Sequence, residues 1–347
     1  MSERKIFLLT VCSVAAAVLL IGSVSYVVNG WVMKSDRLVS NMDARKYNSV
    51  IIKRFKFDSA IVGSSLSQGF KCSEFDKVWG GYSQKLTFSG ANPAEIDFLV
   101  DKIAGKQKIR RIMIDILIPY WGGKADLKEI PVGLYGEEAE IERFKNSFSI
   151  NAVVEAYGNI SGFLQGKMKF TDRDSLYDWN RKRKCGEKFL AENLLYGTEK
   201  GYEITEENAG KTLENVREFL VPMLKRHKEC EFILFFPPPS VLFYRNTELK
   251  AYCSLKSKVA DMLLELPNVK LFCFETAFDV MGNCDNYKDL THYSGKVNSW
   301  ILECMKNNKF RLTAENKAER LALFCKYTGS YDFRKTLACL EKKYGRK

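Results

Sequence analysis

Two short stretches of the chain carry the residue types that nucleophilic catalysis needs. In FDSAIVGSSLSQGF, a β-branched run ends at Gly63, and Ser64 and Ser65 follow it. Far along the chain, Asp289 and His292 are three residues apart in YKDLTHYS. At this spacing a carboxylate can lie beside an imidazole on one turn and fix the tautomer of its ring. A serine hydroxyl becomes a nucleophile when such a histidine accepts its proton.

Each stretch also has an ordinary structural explanation. A Gly-Ser-Ser sequence after a strand is typical of a turn whose serine caps the next helix. An Asp-x-x-His pair is common on surfaces and at helix starts. The second histidine of the chain, His227, lies among basic residues in LKRHKEC, where a surface role is natural. The catalytic interpretation is favoured because the serine follows the first strand and the histidine precedes the last helix of an alternating chain.

Strand and helix patterns alternate along most of the chain. Several runs have the composition of buried strands: SAIVGS, KLTFSG, RRIMIDILI, EFILFFPPPS and VKLFCFE. Helices are predicted over SEFDKVWGG, PAEIDFLVDKIAGK, TLENVREFLVPMLKRH and LKSKVADMLLEL, and after Tyr293. Such alternation forms a parallel sheet covered by helices on both faces. We therefore predict an α/β fold, a three-layer α/β/α sandwich with a mainly parallel sheet.

One transmembrane helix is predicted ahead of this fold. The run from Ile6 to Met33 contains no charged residue and exceeds the roughly 20 apolar residues that a membrane-spanning helix needs. By composition, the predicted parts are an anchor at 1–33, a polar linker at 34–48, an α/β domain at 49–312 with a less regular insertion at about 119–209, and a charged helical extension at 313–347.

A cleaved signal peptide is the alternative explanation of the apolar run. Its hydrophobic core would usually be shorter, and no Ala-x-Ala-like site follows this run, so we expect an uncleaved anchor. Tyr26 and Trp31 lie near its far end, where interfacial aromatic residues are common. Basic residues flank the run on both sides. The positive-inside rule therefore does not settle the orientation of the anchor.

Charge and cysteine content narrow the range of partners. The net charge is +12, but the basic clusters are scattered and belong to no nucleic-acid module, so we expect no nucleic-acid partner. The ten cysteines form no C-x-x-C pair and no zinc-like spacing with histidine, so we expect neither a metal nor a cofactor. Most of the cysteines are expected to be small buried hydrophobic residues.

Taken together, the two stretches resemble the SGNH/GDSL hydrolase superfamily. The first block of that superfamily places a nucleophilic serine after a strand, and its last block is Asp-x-x-His. The resemblance implies that Ser65 is the nucleophile, that His292 is the base and that Asp289 orients the base. It also implies an oxyanion hole formed by the backbone amides of Ser65 and Gly90, without any cofactor.

One block of the superfamily pattern is absent from this chain. The third block, Gly-x-Asn-Asp, supplies an asparagine to the oxyanion hole, whereas the corresponding strand here reads IDILIPYW. Asn92, after the second strand, or a backbone amide could take that place. Losing one oxyanion donor typically costs about 2.7–4 kcal/mol in the activation barrier. The departure is therefore compatible with a slow enzyme, with another donor or with an inactive protein.

More narrowly, the sequence resembles a bacterial membrane-anchored subgroup that is often associated with modification of cell-surface polysaccharides. The blocks concerned are AIVGSSLSQGFKCSEFD, FFPPPS, and YKDLTHYSGKVNSWILECM followed by FRLTAEN. The resemblance implies a serine-dependent esterase or O-acyltransferase that acts on acyl, most simply acetyl, esters of such polysaccharides through an acyl-serine. It also implies a single-pass protein of the bacterial cytoplasmic membrane with an extracytoplasmic C-terminal domain.

Two other functions fit parts of the same sequence pattern. A non-catalytic, glycan-binding accessory protein of a membrane acyltransferase system could keep the same residues, and a membrane-bound O-acyltransferase is an implied partner in either case. Phosphate binding by GSSLSQG is disfavoured, because the stretch lacks the Gly-Lys-Ser/Thr ending of a P-loop. Aromatic residues of the insertion are candidates for sugar stacking, with core packing as the ordinary alternative; they are Trp121, Tyr177, Trp179 and Tyr202.

Overall fold

The computed structural model describes residues 2–40, 42–165, 170–181, 183–197 and 205–345; Tyr202 lies outside these ranges. The chain divides into two compact units. We call residues 1–55 with 128–172 the N-terminal unit, and residues 56–127 with 173–347 the sheet unit. Contacts therefore group the segments differently from composition, which suggested a single insertion at about 119–209 within one α/β domain.

The helices and strands follow one another along the chain. In order, they are α1 (Glu3–Met33), α2 (Ala44–Arg54), β1 (Ser59–Gly63), α3 (Cys72–Trp79), β2 (Ser83–Thr87), α4 (Pro93–Ala104), β3 (Arg111–Asp115), α5 (Ile118–Trp121), α6 (Ala139–Asn146), α7 (Ile150–Leu164), α8 (Glu187–Tyr196), α9 (Glu206–Asn215), α10 (Val221–Arg226), β4 (Glu231–Phe236), α11 (Leu249–Leu264), β5 (Val269–Cys273), α12 (Phe278–Met281), α13 (Gly295–Lys306), β6 (Arg311–Leu312), α14 (Lys317–Ser330) and α15 (Phe333–Tyr344). A π-helical segment, Val216–Leu220, joins α9 to α10.

The sheet unit contains a six-stranded sheet in the order β2-β1-β3-β4-β5-β6. The first five strands are parallel, and the short β6 runs antiparallel to β5. This arrangement confirms the predicted α/β fold with a mainly parallel sheet. The chain leaves β1 for β2 on one side and then returns past β1 to β3. In open α/β sheets this reversal of direction creates a crevice at the carboxyl ends of the two strands, where ligands bind.

The central strands are buried because helices pack on the sheet. All five residues of β1 are buried, and so is the run from Phe232 to Phe236 in β4. Fully burying one large apolar side chain contributes roughly 1.5–3 kcal/mol to stability. The strand ends, and the residues that follow them directly, are thus held by a closely packed core.

The N-terminal unit is helical and contains a candidate membrane span. Helix α1 is long and apolar enough to cross a membrane. Its C-terminal part packs on α6 and α7, and α2 begins at Ala44, inside the stretch predicted as a linker.

Cysteines occur both as buried thiols and in one disulfide. Four of the ten cysteines are buried and free, fewer than the majority that the sequence predicted; they are Cys72, Cys230, Cys273 and Cys304. In contrast, a disulfide joins Cys253 of α11 to Cys325 of α14 across 72 residues of chain. The pairing depends on the packing of α14 against α11, which the sequence did not predict.

We expect this disulfide to stabilise the sheet unit. A cross-link over such a loop typically contributes about 2–4 kcal/mol, mainly by restricting the unfolded chain. The double variant Cys253→Ser/Cys325→Ser should melt at a lower temperature than the oxidised protein and should not respond to reductant. The matched control Cys230→Ser, at a free buried thiol, should keep its response to reductant. An oxidised protein whose melting point reductant does not change would contradict the pairing.

Candidate active site

The turn after β1 requires a glycine. Gly63 has φ +141°, a backbone conformation that residues other than glycine rarely adopt. A Cβ atom there would overlap the Asp115 carboxylate and lie 2.9 Å from the Ser67 hydroxyl oxygen. The missing side chain lets the carboxylate at the end of β3 approach the backbone of β1. The serines that follow Gly63 are therefore positioned by a neighbouring strand as well as by their own turn.

Asp115 ties this turn to β3. Its Oδ1 accepts hydrogen bonds from the Ser64 backbone amide at 2.9 Å and the Ser67 hydroxyl at 2.5 Å. Its Oδ2 accepts a hydrogen bond from the Ser64 hydroxyl at 2.7 Å. Burial raises the pKa of Asp115, whereas these hydrogen bonds oppose the rise. The Ser64 hydroxyl is therefore engaged in a structural hydrogen bond. Ser65, the next residue, is the other serine of the Gly-Ser-Ser turn.

Ser65 lies beside the imidazole of His292. Its Oγ is 2.8 Å from His292 Nε2, and His292 Nδ1 is 2.9 Å from both carboxylate oxygens of Asp289. The structure therefore brings the three sequence-predicted residues together across 227 positions of chain. The distances are those of a serine hydroxyl, a base and an acid that orients the base.

The Asp289 carboxylate is buried and accepts several hydrogen bonds. Its Oδ1 accepts hydrogen bonds from the backbone amides of Thr291 at 3.0 Å and His292 at 2.7 Å, and the Lys288 ammonium lies 3.0 Å from Oδ2. Burial by itself would raise the pKa of Asp289, but the hydrogen bonds from His292 and the electrostatic interactions with His292 and the Lys288 ammonium hold it well below its usual range. Asp289 therefore stays ionised at neutral pH, as the orientation and stabilisation of an imidazolium require.

Trp179 completes one side of the arrangement. Its indole N–H donates a hydrogen bond to the Ser65 carbonyl at 2.9 Å, and its ring meets the His292 imidazole edge-on with 5.3 Å between the ring centroids. The Lys288 ammonium lies 5.7 Å from the centroid of the same ring. The sequence suggested Trp179 as a sugar-stacking residue or, alternatively, as a core residue. Its contacts with Ser65 and His292 could not be recognised from the sequence, because the indole belongs to a segment more than a hundred residues from Ser65.

Two backbone amides at this edge are available to a ligand. The amides of Ser65 and Gly90 donate no hydrogen bond to another residue in the described part of the chain. Because Thr87 at the end of β2 pairs with Gly63 at the end of β1, Gly90 and Ser65 both follow strand ends at one edge of the sheet. Unpaired N–H groups in such a place can stabilise an oxyanion.

Asn92 has two other partners. Its side-chain oxygen accepts a hydrogen bond from the Glu95 amide at 3.1 Å, forming a capping box at the start of α4. Its side-chain nitrogen donates to the Asp126 carbonyl at 2.8 Å. The NH₂ group has a second N–H, so this hydrogen bond leaves one side-chain donor of Asn92 for an oxyanion. In the observed arrangement, Asn92 stabilises the beginning of a helix.

Trp121, Tyr177 and His227 are the remaining sequence candidates among the described residues. Trp121 is buried, as core packing requires, and lines a small cavity together with Ser64 and Asp115. Tyr177 has a positive φ of 58°. His227 pairs with Asp101 of α4 at 2.6 Å. Among the described residues, no group of three or more His, Cys, Asp or Glu side chains is placed to hold a metal ion.

Comparisons with known proteins do not assign the chain to a family. No family model matches the sequence, and no curated protein matches it. Among solved structures, it is similar to one described as "The structure of a putative platelet activating factor from Streptococcus pneumonia", with a TM-score of 0.38 and 10% sequence identity over 81% of this chain and 96% of that chain. A likeness at this level carries no argument about the reaction.

Removal of the Asp115 carboxylate should slow the reaction of Ser65 with a fluorophosphonate. Asp115→Ala leaves the Ser64 amide without its partner, and a misplacement of about 1 Å can cost about 100-fold in rate. We expect a loss of about 10- to 100-fold in the labelling rate, measured by mass spectrometry, and partial recovery in Asp115→Asn, which keeps an acceptor oxygen.

Asp174 provides the matched control for that experiment. Its carboxylate accepts hydrogen bonds from the amide and the hydroxyl of Ser73 at the start of α3, a pair of contacts like that between Asp115 and Ser64. Asp174→Ala should lower the melting temperature while the labelling rate of the folded protein is retained. Labelling of Asp115→Ala at the wild-type rate would show that the carboxylate does not position the serine.

The indole N–H of Trp179 should contribute to the same reaction. Trp179→Phe keeps an aromatic ring beside His292 but removes the donor to the Ser65 carbonyl. A neutral hydrogen bond contributes about 0.5–1.5 kcal/mol, so the labelling rate should fall by about three- to tenfold. Trp179→Ala should lower it further, because the imidazole loses its neighbour. Equal rates in the wild type and both variants would exclude a positioning role.

Proposed function

We propose that this protein is a serine-dependent esterase or O-acyltransferase that works through an acyl-serine intermediate. The observation that carries the proposal is the chain of contacts from Ser65 Oγ to His292 Nε2 at 2.8 Å and from His292 Nδ1 to Asp289 at 2.9 Å. A hydroxyl hydrogen-bonded to an imidazole, itself held by a buried carboxylate, is the arrangement that activates serine for acyl transfer.

The reaction proceeds in two steps. His292 accepts the Ser65 proton as the oxygen attacks the ester carbonyl, and the amides of Ser65 and Gly90 stabilise the oxyanion. The imidazolium then gives the proton to the departing alcohol, which leaves an acyl-serine. In the second step His292 takes a proton from water or from a sugar hydroxyl, whose oxygen attacks the acyl-serine. Collapse of the second tetrahedral intermediate, with return of that proton to Ser65, releases an acid or a new ester.

The proposed substrates are acyl esters, most simply acetyl esters, of cell-surface polysaccharide. This assignment rests on the sequence resemblance to membrane-anchored proteins of polysaccharide modification. Helix α1 supports retention at the cytoplasmic membrane, and the Cys253–Cys325 disulfide favours an oxidising, extracytoplasmic location of the sheet unit. A membrane-bound O-acyltransferase is the proposed partner, as a donor of acyl groups.

The alternative is a non-catalytic, glycan-binding accessory protein of such a system. The absence of the third-block asparagine favours it, because the strand that would carry this donor reads IDILIPYW. Asn92 is the remaining side-chain candidate, and one of its N–H groups is bound to the Asp126 carbonyl. A missing donor costs about 2.7–4 kcal/mol in the barrier. A slow enzyme and a binding protein are therefore the two outcomes to be separated by experiment.

Substitution of Ser65 separates them. Ser65→Ala should abolish fluorophosphonate labelling and lower the hydrolysis of a small acetyl ester such as p-nitrophenyl acetate by about 10⁴-fold or more. His292→Ala should have a similar effect, and the double variant should lose little more, because triad members act as a unit. The melting temperature should barely change in Ser65→Ala, since the side chain is only half-buried and its removal opens no large cavity.

Ser73→Ala is the control for this set. The Ser73 hydroxyl, in α3, donates a hydrogen bond to Asp174. Removal of this hydroxyl should therefore leave labelling and hydrolysis unchanged. The wild-type protein could fail to react with the fluorophosphonate and fail to hydrolyse the ester, yet bind acetylated glycan. That result would support the accessory protein and contradict the catalytic proposal.

A further inference from the structure

One face of α7, in the N-terminal unit, is apolar and exposed. Ile150, Val154, Tyr157 and Leu164 are 82%, 63%, 74% and 77% exposed. Their spacings of four, three and seven residues place them along one side of the helix. We call these four residues the α7 stripe. A helix of a water-soluble protein turns such a stripe towards the core.

The opposite face of α7 packs on α1 through small and polar residues. Asn29 of α1 donates a hydrogen bond to the Ala152 carbonyl at 3.0 Å, and Asn159 of α7 donates to the Asn29 side-chain oxygen at 3.0 Å. Ala156 of α7 and Ser25 of α1 are buried. Small residues and hydrogen bonds between side chains are typical of helix contacts inside a membrane. The polarity of the pair is thus the reverse of that expected in water.

The charge on α7 does not interrupt this apolar surface. Within Ile150–Leu164 the only charged residue is Glu155, and its carboxylate lies 3.5 Å from the ammonium of Lys46. The charge is therefore directed towards a partner within the same unit. The α7 stripe itself carries no ionisable group apart from the phenol of Tyr157.

Contacts near both ends of α7 set its direction relative to α1. The Phe148 ring lies against Gly22, and the Phe163 ring meets Trp31 with centroids 5.5 Å apart. Helix α7 therefore runs parallel to the C-terminal third of α1. With 31 residues and a rise of about 1.5 Å each, α1 is longer than the roughly 30 Å hydrocarbon core of a bilayer. Its last third thus extends from the outer hydrocarbon into the headgroup region when the helix spans.

Other exposed side chains fit the same location. Tyr157 and Trp31 are exposed aromatic residues with a polar atom, a type enriched where hydrocarbon meets headgroups. Helix α6 adds Ile141 and Phe144, which are also exposed. The apolar surface thus extends over three helices that pack together.

We infer that the α7 stripe is immersed in the phospholipid bilayer beside the end of α1. The N-terminal unit is then held in the membrane by two helices: α1 spans the bilayer, and α7 lies in its outer part with its apolar side on the acyl chains. The outward surface of α7 is apolar, which suits contact with acyl chains. The face of α7 that packs on α1 has the small and polar residues typical of helix contacts in membranes.

Photocrosslinking in the full chain tests this inference. Tyr157 is replaced by p-benzoylphenylalanine, and the protein is placed in nanodiscs of phosphatidylethanolamine and phosphatidylglycerol. Irradiation should add the mass of a phospholipid to the peptide that contains position 157. The same replacement at Trp31 of α1 serves as the positive control, because that position is exposed on the proposed span.

Tyr82 provides the matched negative control. It is an exposed tyrosine of the sheet unit whose ring lies 4.0 Å from the Arg173 guanidinium, so its setting is charged and wet. The inference requires lipid adducts at positions 31 and 157 and none at position 82, with melting temperatures like that of the unmodified protein. Adducts at 31 but not at 157 would place α7 outside the bilayer. A crosslink from 157 to another protein chain would assign the stripe to a protein partner and equally overturn the inference.

Discussion

The edge of the sheet that carries the candidate active site depends on one buried carboxylate. Asp115 lies at the end of β3 and accepts two hydrogen bonds from Ser64 and one from Ser67, residues that follow β1. A buried carboxylate is costly unless its oxygens are hydrogen-bonded, so these contacts are required by the burial of Asp115 itself. The same contacts determine where the turn after Gly63 goes, and with it the direction in which Ser65 projects.

The two aspartates of the site show how environment separates their roles. Asp115 faces neutral donors in a dry interior, and burial raises its pKa. Asp289 is also buried, but the nearby His292 and Lys288 carry or can carry positive charge, and the pKa is lowered. Opposite charge and hydrogen bonds favour the ionised form, whereas desolvation disfavours it. One carboxylate therefore holds backbone and hydroxyl groups, and the other can hold an imidazolium.

The two units of the chain follow opposite packing rules. The sheet unit buries the Phe232–Phe236 run and leaves polar groups at the strand ends, as a protein does in water. In the N-terminal unit, Asn29 and Asn159 face each other between helices while Ile150 and Leu164 face outward. Both arrangements satisfy the polar groups and place apolar groups in an apolar setting. They differ in whether that setting is a protein core or a lipid.

The sequence by itself determined the fold class. Strand and helix patterns alternate along it, and the continuous hydrophobicity of RRIMIDILI indicates a strand buried on both faces. It also predicted Ser65 and His292 together, since each follows a strand or precedes a helix in a recognisable block. Tertiary structure decided what no local pattern records. The carboxylate of Asp115 serves the serine turn only because β3 pairs with β1, and Trp179 reaches Ser65 only because its segment returns to the sheet. Contacts between residues so far apart in sequence form only when the chain folds, so they cannot be predicted from composition or periodicity.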